Sequence, residues 1–449
     1  MVVCAGILAV WRPWSEPPEL EPGTEVSHSP AQQAAIAASQ ILSQRLPLAP
    51  ARERPTLLVN PLRPPRSDTE LAHLGDALAA ELIAQLSRVP GLTTLGSDTT
   101  FALAMRSDSA AIAGEPIPFK YRLDTEIDGG AGQLRLLARL SDSAEGKILW
   151  EERTERPASE FGALVAGLHS RVIRSLNLAP AKGEAPVTGP LEPQALLALD
   201  LTFKAQHLQR HSARPDLLQA RRLLEEAVSV SPSALPAHLA LYTLLTGSGF
   251  SGGSPFANEP AENLLAIATR AVTLAPSDPM ARAAYADSLT LVGQHGTAVA
   301  QIDASVGKTL VGSEVLRIAA RVMERSGEFD KALALMQRAL QIDPLINPST
   351  LAFPLANSLY QLGRYQEAAD QAGRCLQREP AMAVCLLTRA AALAQTGASM
   401  QAQQLAETLR RQVPEASISS LLKPLSAGTK NPEDLRHLGE GLRKAGLPE

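Results

Sequence analysis

Apolar residues in the C-terminal half of the chain follow a helical period that is interrupted at regular intervals. Within 313–344, one apolar stripe recurs at helical spacing, Gly327 interrupts it, a second stripe follows, and Pro344 prevents its continuation. Because glycine permits a tight turn, the segment predicts two antiparallel helices. The small side chains of Ala332 and Ala339 allow these helices to approach each other closely.

A glycine, two small or apolar residues and a proline recur in three consecutive segments, separated each time by 5, 7 and 5 positions. We call this pattern the ladder. Its members are Gly327, Ala332, Ala339 and Pro344, then Gly363, Ala368, Cys375 and Pro380, then Gly397, Ala402, Leu409 and Pro414. Weaker copies upstream bring the count to six units between about Leu196 and Pro414. A helix pair buries its apolar face only against neighbouring pairs, so the period of 34 to 36 residues predicts a stacked array with a partner-binding surface.

These residues resemble the tetratricopeptide repeat. The resemblance implies an all-α superhelix over 195–416 that holds a protein or peptide in a groove lined by the first helix of each pair. Arginine and tyrosine are favoured at binding hot spots, so we selected polar residues of the first helices that lie away from the packing ladder. The candidate partner-binding residues are Arg282, Asp287, Arg317, Arg321, Asn357, Tyr360 and Arg389. The alternative for each of them is an ordinary solubilising surface residue.

Residues 55–180 follow a different pattern, in which short apolar or alternating runs are separated by helical stripes and turn residues. Alternating runs joined by the glycine-rich turn GGAG indicate a hairpin. The predicted strands are 55–62, 92–96, 120–128, 133–142 and 147–155, and the predicted helices are 69–89, a segment ending near Met105, and 159–176. The order β-α-β-α-β-β-β-α predicts an α+β domain, a sheet with helices packed on it, ahead of the all-α array.

A second resemblance lies in the stretch HLGDALAAELIAQLSRVPGLTTL (73–95), in the strand ILWEERTER (148–156) and in the closing segment 433–449. These stretches resemble the TolB-N-terminal-like domain and the tail of bacterial multidomain regulators. In that family the module follows a membrane helix and precedes tetratricopeptide repeats. The resemblance implies the C-terminal sensory half of a CadC-like winged-helix regulator or a class III adenylate cyclase, although neither effector domain is present in this sequence.

The N-terminal residues 1–12 are apolar but shorter than the roughly 20 residues of a membrane helix, and they lack the basic start of a secretory signal. Three interpretations stay open: a membrane helix that has been cut, a poor signal or lipoprotein signal around Cys4, and a frayed apolar start. A proline-rich linker with a short helix is expected at 13–54, a second linker at 181–194, and a capping segment at 417–449.

Composition and charge argue against three features: nucleic-acid contact, a disulfide framework and a metal site. A net charge of −4 among 449 residues gives no electrostatic footprint for nucleic acid, so we expect no direct contact with it. Three cysteines do not make a disulfide framework. For Cys375 and Cys385 we favour buried small side chains over a bridge, although a bridge remains open in an oxidising compartment. No cysteine or histidine spacing predicts a metal site.

No catalytic constellation emerges from the sequence. The carboxylates Asp124, Glu126 and Asp128 share one face of a strand, where a solvated outer face is favoured over a cation site. Gly247, Gly249 and Gly252 form a GxGxxG pattern, but a helical segment precedes it, so a loop between helices is favoured over a dinucleotide site. We therefore expect no enzyme activity and no cofactor.

The sequence thus predicts a non-enzymatic interaction and sensor module, at the periplasmic face of the inner membrane and part of a bacterial signalling or transcriptional regulator. Membrane association would run through residues 1–12. The alternative function is a stand-alone periplasmic or lipid-anchored scaffold for envelope assembly, and the alternative location is the cytoplasm. The oligomeric state is not predicted.

Overall fold

The computed structural model describes the chain in twelve segments, which all belong to one compact unit, Ala51–Glu449. They are 55–61, 72–104, 111–112, 115–130, 132–180, 190–211, 217–247, 255–256, 258–306, 310–346, 348–413 and 415–449. The expectations for 1–12 and 13–54, most of the linker 181–194, and the glycine pattern from Gly249 onward lie outside these residues.

A five-stranded sheet opens the described part of the chain. The strands of this part are β1 (Thr56–Pro61), β2 (Thr93–Thr94), β3 (Ala111–Ile112), β4 (Glu115–Pro116), β5 (Tyr121–Gly130), β6 (Gln133–Asp142) and β7 (Lys147–Pro157). The order in the sheet is β2-β1-β5-β6-β7, and the two short strands β3 and β4 form a separate ribbon that was not predicted. Strand β1 pairs in parallel with β2 and β5, while β5, β6 and β7 form an antiparallel meander.

Three helices belong to this sheet: α1 (Ala72–Leu86), α2 (Ser97–Ala104) and α3 (Phe161–Ser175), the last after a short 3₁₀ turn. Along β6, buried residues alternate with more exposed ones. The buried leucines of β6 pack with the apolar faces of α1 and α3 in one core. The predicted α+β order is therefore confirmed. The first helix is described from Ala72 to Leu86, within the predicted 69–89.

Twelve helices then form six antiparallel pairs. They are α4 (Pro193–His211) with α5 (Leu217–Val230), α6 (Leu235–Gly247) with α7 (Ala261–Leu274), α8 (Pro279–Leu291) with α9 (His295–Val306), α10 (Ser313–Arg325) with α11 (Phe329–Ile342), α12 (Pro348–Gln361) with α13 (Tyr365–Arg378), and α14 (Ala383–Gln395) with α15 (Ser399–Gln412). One continuous apolar core runs through the last four pairs, which confirms the predicted superhelical array.

The ladder glycines make the turns within the pairs. Gly293, Gly327, Gly363 and Gly397 have φ values of 78°, 77°, 74° and 85°, in the left-handed region that side chains with a Cβ avoid. Each of them follows the C-terminus of a first helix. The glycine recurs because the chain needs the same left-handed turn in each of these units.

The C-terminal segment returns onto the array. Helices α16 (Ile418–Ser426) and α17 (Pro432–Lys444) pack against each other, and α17 lies across α14 and α12, both first helices of their pairs. Leu438 and Leu442 of α17 are buried in the core that runs through the repeats. The returning segment, 417–449, thus covers part of the surface that the first helices would otherwise present.

The α+β domain also packs on the repeats. Helix α1 lies along α4, and Phe203 of α4 reaches the core of the sheet, where it contacts Phe161 with ring centroids 5.3 Å apart. At the other end of the contact, the Gly96 N–H donates to the Ile342 carbonyl over 2.7 Å. The two parts of the chain therefore share a continuous apolar and hydrogen-bonded interface.

The favoured interpretation of the cysteines was wrong. Cys375 at the end of α13 and Cys385 at the start of α14 form a disulfide, with Cα atoms 6.4 Å apart. Both residues are buried, as expected from the sequence, but the turn between the two helices brings their side chains together.

Within the described residues, no helix is both long and apolar enough to cross a membrane.

Candidate functional site on the first helices

A row of polar residues runs along the first helices of the repeats. Asp287 of α8, Arg321 of α10 and Asn357 of α12 lie 34 and 36 residues apart, so they occupy equivalent positions in three consecutive units. All three side chains are buried or nearly so. We call these residues, together with the side chains bonded to them and the adjacent Tyr360 of α12, the polar row.

Asp287 is the centre of the first half of the row. The Arg321 guanidinium donates to both of its carboxylate oxygens, over 2.9 and 2.6 Å, and Arg325 Nη1 donates to Oδ1 over 3.0 Å. The Tyr242 hydroxyl of α6 donates to Oδ2 over 2.6 Å. Burial acts to raise the pKa of Asp287, but the charges of Arg321 and Arg325 outweigh it and hold that pKa at about 2. This carboxylate is fully bonded, and the low pKa keeps it charged at neutral pH.

Glu324 is the centre of the second half. It accepts a short hydrogen bond from Asn357 Nδ2, and burial raises its pKa to about 7. The Asn357 bond and the charge of Arg325 oppose that shift, whereas Asp434 of α17 adds to it. Glu324 lines a cavity of about 30 Å³ between α10, α12 and the returning segment, which is room for one or two waters.

Helix α17 completes the row. Gln361 at the end of α12 donates to the Asp434 carbonyl over 2.9 Å, and its Oε1 lies 3.0 Å from His437 Nδ1. The Tyr360 hydroxyl donates to the His437 carbonyl over 2.9 Å and accepts from Gln395 of α14 over 3.0 Å. The polar groups at the C-terminal end of the groove therefore bind the backbone and side chains of the chain's own last helix.

Aromatic rings support the same contact. The His437 ring lies 4.7 Å from the Tyr360 ring and 6.0 Å from the Tyr365 ring, measured between centroids, and the Tyr365 hydroxyl lies 3.0 Å from His437 Nε2. Gly441 of α17 packs directly on the Ala391 side chain: a Cβ at position 441 would come within 2.9 Å of the Ala391 Cβ. The close approach explains why a glycine stands there.

The structure brings four of the candidate residues into the polar row: Asp287, Arg321, Asn357 and Tyr360. The other three lie elsewhere. Arg282 donates to the Pro276 carbonyl and to Gln301 of α9, and Arg389 packs beside Gly373 of α13.

Arg317 lies at the contact with the α+β domain. It is 9% exposed, and burial lowers its pKa. Its nearest anionic partner is Glu314, 3.7 Å away on the same helix, and the charge of Asp98 on α2 also favours its protonated form. Arg317 is therefore covered by a part of this same chain.

The residues predicted from the sequence did not include Tyr242, Glu324, Gln361 or His437. Tyr242 occupies a first-helix position one repeat before Asp287. The long connection between α6 and α7 makes the separation of these two residues greater than the repeat period, so the period does not reveal their equivalence. His437 belongs to a helix outside the repeat. A search for buried polar residues at equivalent first-helix positions would have found Tyr242; no periodic signal points to His437.

A second polar centre joins the repeats to the α+β domain. The Asp343 carboxylate accepts from the Thr99 N–H and hydroxyl over 2.7 and 2.6 Å and from the Ser313 hydroxyl over 2.8 Å. Burial raises its pKa to about 6, with the charge of Asp98 adding to the shift and the Thr99 bonds opposing it. These bonds fix the start of α2 on the end of the α10–α11 pair at which α10 begins and α11 ends.

One of the three strand carboxylates, Asp124, has partners within the α+β domain. Asp124 of β5 accepts from Asn60 over 2.6 Å and from Arg122 over 2.7 Å. In the described part of the chain, no group of three or more histidine, cysteine or acidic side chains is arranged to hold a metal ion.

Comparison with known proteins shows a distant relative. No family model matches the chain. A putative adenylate cyclase 3 of Rhizobium meliloti (strain 1021) is 23% identical over 204 residues, which is 45% of this chain. The chain spans 34% of the length of that curated relative.

Among solved structures, the chain is similar to YrrB, described as a TPR protein with an unusual peptide-binding site, at 16% identity and a TM-score of 0.31 over 43% of this chain and 93% of that one. It is also similar to PilF of Pseudomonas aeruginosa, at 16% identity and a TM-score of 0.33 over 50% of this chain and 96% of that one. At these scores the likenesses carry no argument about ligand or role.

Proposed function

We propose that this chain is a non-enzymatic interaction and sensor module, and that its polar row binds an amphipathic helix of a partner protein. The observation that carries the proposal is the contact made by α17. The row already holds one helix, through hydrogen bonds to its backbone and a histidine ring that packs at a tilt against Tyr360. That helix is tethered to the array by the short loop after α16. A partner helix of similar chemistry would compete with it.

The bound helix defines the chemistry of the partner. Helix α17 presents Leu438 and Leu442, four residues apart, to the apolar part of the groove, and Gly441 to its narrowest point. Helix-in-groove recognition uses anchors at this spacing. The expected partner is therefore an amphipathic helix with a leucine pair and a small residue between them. The candidate residues Asp287, Arg321, Asn357 and Tyr360 would support this surface.

The extracytoplasmic location belongs to the same proposal. Disulfides persist in oxidising compartments and are rare in the cytosol, so the Cys375–Cys385 bridge supports a location outside the cytoplasm. The distant likeness to a putative adenylate cyclase supports a place in a signalling protein, with the catalytic or DNA-binding part outside this sequence.

The proposal is tested by locking and releasing α17 in the full chain. Cysteines at Gln395 and Lys444, whose native side chains are hydrogen-bonded over 2.6 Å, would tie the helix to α14 when a short bis-methanethiosulfonate joins them. Gly441→Leu would instead push it away. Crosslinking in intact cells should capture one and the same partner more strongly with Gly441→Leu than with the native chain, and not with the locked form until it is reduced.

Two outcomes would overturn the proposal: capture of the same partner at equal yield by the locked, native and released forms, or capture of none by all three. The location is tested separately with a thiol reagent that does not cross the inner membrane, applied to intact cells in the presence of a mild reductant. The labelled position is a cysteine at Lys331, which is 51% exposed, in a Cys4→Ser background, because Cys375 and Cys385 are buried. Labelling in intact cells is expected, and labelling only after lysis would refute the extracytoplasmic location. An in-frame winged helix or cyclase upstream would support the signalling role, whereas an upstream stop codon and promoter would contradict it.

A further inference from the structure

Strand β7 forms one edge of the five-stranded sheet and is paired on one side only within the described residues. A free edge of this length is a template for pairing with another strand. We call Lys147–Pro157 the β7 edge. Its N-terminal part is irregular, because the pairing of β7 with β6 shifts between Leu140 and Ser141 and leaves Leu149 as an extra residue. From Trp150 to Pro157 the register is unbroken.

The regular part of the β7 edge has a charge pattern that is complementary to itself. Thr154 is flanked by Arg153 and Glu155, which carry opposite charges. The next residues on the two sides, Glu152 and Arg156, also carry opposite charges. When two such strands run antiparallel with Thr154 opposite its own copy, every charged residue from 152 to 156 faces an opposite charge. We infer that the β7 edge pairs with the β7 edge of a second copy of this chain, which joins two sheets into one across a two-fold axis.

Symmetry makes that register selective. Residues directly opposite each other in an antiparallel pair share a face of the sheet, so in a two-fold pair one residue must lie opposite its own copy. Centring the pair on Glu152, Arg153 or Glu155 would place like charges opposite each other at the axis, which is unfavourable. Centring it on Trp150 would place Arg153 opposite Lys147. Thr154 is uncharged, and threonine pairs are favourable across strands.

The charges that would meet in this register differ in how far the chain already uses them. Glu152 and Arg156 have partners, Arg171 of α3 and Glu160, so the charges that remain for a second copy are Arg153 and Glu155. Arg153 is 79% exposed, and its nearest carboxylate within the described residues is 3.9 Å away. Glu155 is exposed and lies opposite Arg135 of β6. Charged edges usually prevent pairing, but here the same charges select one partner, a second copy.

The test measures self-association of the full chain by sedimentation equilibrium. The native chain is expected to form a concentration-dependent dimer that weakens at high salt. Arg153→Glu and Glu155→Arg should each weaken the dimer roughly ten-fold or more, because each variant places like charges opposite each other twice. Mixing the two variants should restore association, since the new glutamate at position 153 of one chain then faces the new arginine at position 155 of the other. Lys331→Glu, an exposed charge on α11, should change nothing.

The register has its own test, in a Cys4→Ser background that leaves the native disulfide intact. Thr154→Cys should crosslink two chains under mild oxidation. Leu149→Cys is the matched control: its own copy would lie ten positions away, about 34 Å, and should not crosslink. A monomeric native chain, a mixture that fails to restore association, or crosslinking at Leu149 instead of Thr154 would each overturn the inference.

Discussion

Arg321 and Asp287 form a doubly hydrogen-bonded ion pair between equivalent positions of adjacent repeats. The guanidinium lies 2.9 and 2.6 Å from the two carboxylate oxygens, and the exposures of the two residues are 5% and 1%. A buried charge of this kind is tolerated because its partner is present. The pair therefore ties α8 to α10 in one register, and removal of either member leaves the other charged and desolvated.

We expect Asp287→Ala to lower the free energy of unfolding by about 3–5 kcal/mol, since Arg321 would remain buried without its carboxylate. The measurement is urea denaturation of the full chain, followed by far-ultraviolet circular dichroism. Glu367→Ala is the matched control, because its pair with Arg364 is at the surface and the glutamate side chain is 56% exposed. That variant should lose less than about 1 kcal/mol. Equal losses in the two variants would refute the structural importance of the Asp287 pair.

Glu324 gives the fold a pH dependence of definite sign. Burial raises its pKa from 4.5 to about 7, against the opposing effects of Asn357, Arg325 and Arg321 and with the help of Asp434. Between these two values the folded chain keeps the proton that the unfolded chain has lost, so stability falls as pH rises through this window. Glu324→Gln removes the dependence and keeps an acceptor for Asn357.

The expected result is that Glu324→Gln gains stability relative to the native chain as pH rises from 4.5 to 8, by about 3 kcal/mol at the upper end. Thermal unfolding of both proteins at several pH values measures the difference. Glu328→Gln, whose glutamate is 43% exposed and lies beside Lys331, is the control and should show no such trend. A constant difference between Glu324→Gln and the native chain across the whole range would contradict the shifted pKa.

Asp343 holds the α+β domain to the repeats, and Asp343→Ala should loosen that interface. The Thr99 N–H and hydroxyl would lose their acceptor in a buried setting, at a cost of about 2–4 kcal/mol. Amide hydrogen exchange should rise across α2 while the inner helices of the array keep their protection. Asp330→Ala, an exposed position at the other end of α11, should leave exchange in α2 unchanged. If α2 stays protected in Asp343→Ala, other contacts hold the domains together.

Much of the architecture was predictable because it repeats. The ladder glycines mark turns that need a positive φ, which Gly327 and Gly363 adopt at 77° and 74°. The alternation of apolar and polar residues in β5 and β6 predicted the hairpin. A strand that is buried on one face only places apolar residues at every second position. These features depend on local backbone geometry and on one-sided burial.

The contacts that define the site were not predictable, because they join residues far apart in sequence. Thr99 and Asp343 are separated by 244 positions, and Tyr360 and His437 by 77. Apolar periodicity identifies the buried face of α17 but not the groove that it enters. The disulfide was missed for a similar reason: the spacing showed that Cys375 is buried, whereas its distance from Cys385 depends on how the turn between α13 and α14 is built.

Gly441 lies at a close contact between α17 and the first helices of the array, and Gly441→Leu should release α17. A leucine there would collide with the Tyr360 hydroxyl and with Ala391, both fixed on first helices of the array. The array should remain folded, because its own core does not depend on position 441, so circular dichroism should change little. Limited proteolysis should then cut within 427–444 much faster than in the native chain, and hydrogen exchange at α17 should rise.

Gly296→Leu is the control for this prediction. Gly296 is also a helical glycine, but nothing lies within 4 Å of its Cβ position, so the variant should leave the tail protected. If the tail of Gly441→Leu resists proteolysis as well as that of Gly296→Leu, then α17 is a permanent cap, and a partner helix would have to bind elsewhere.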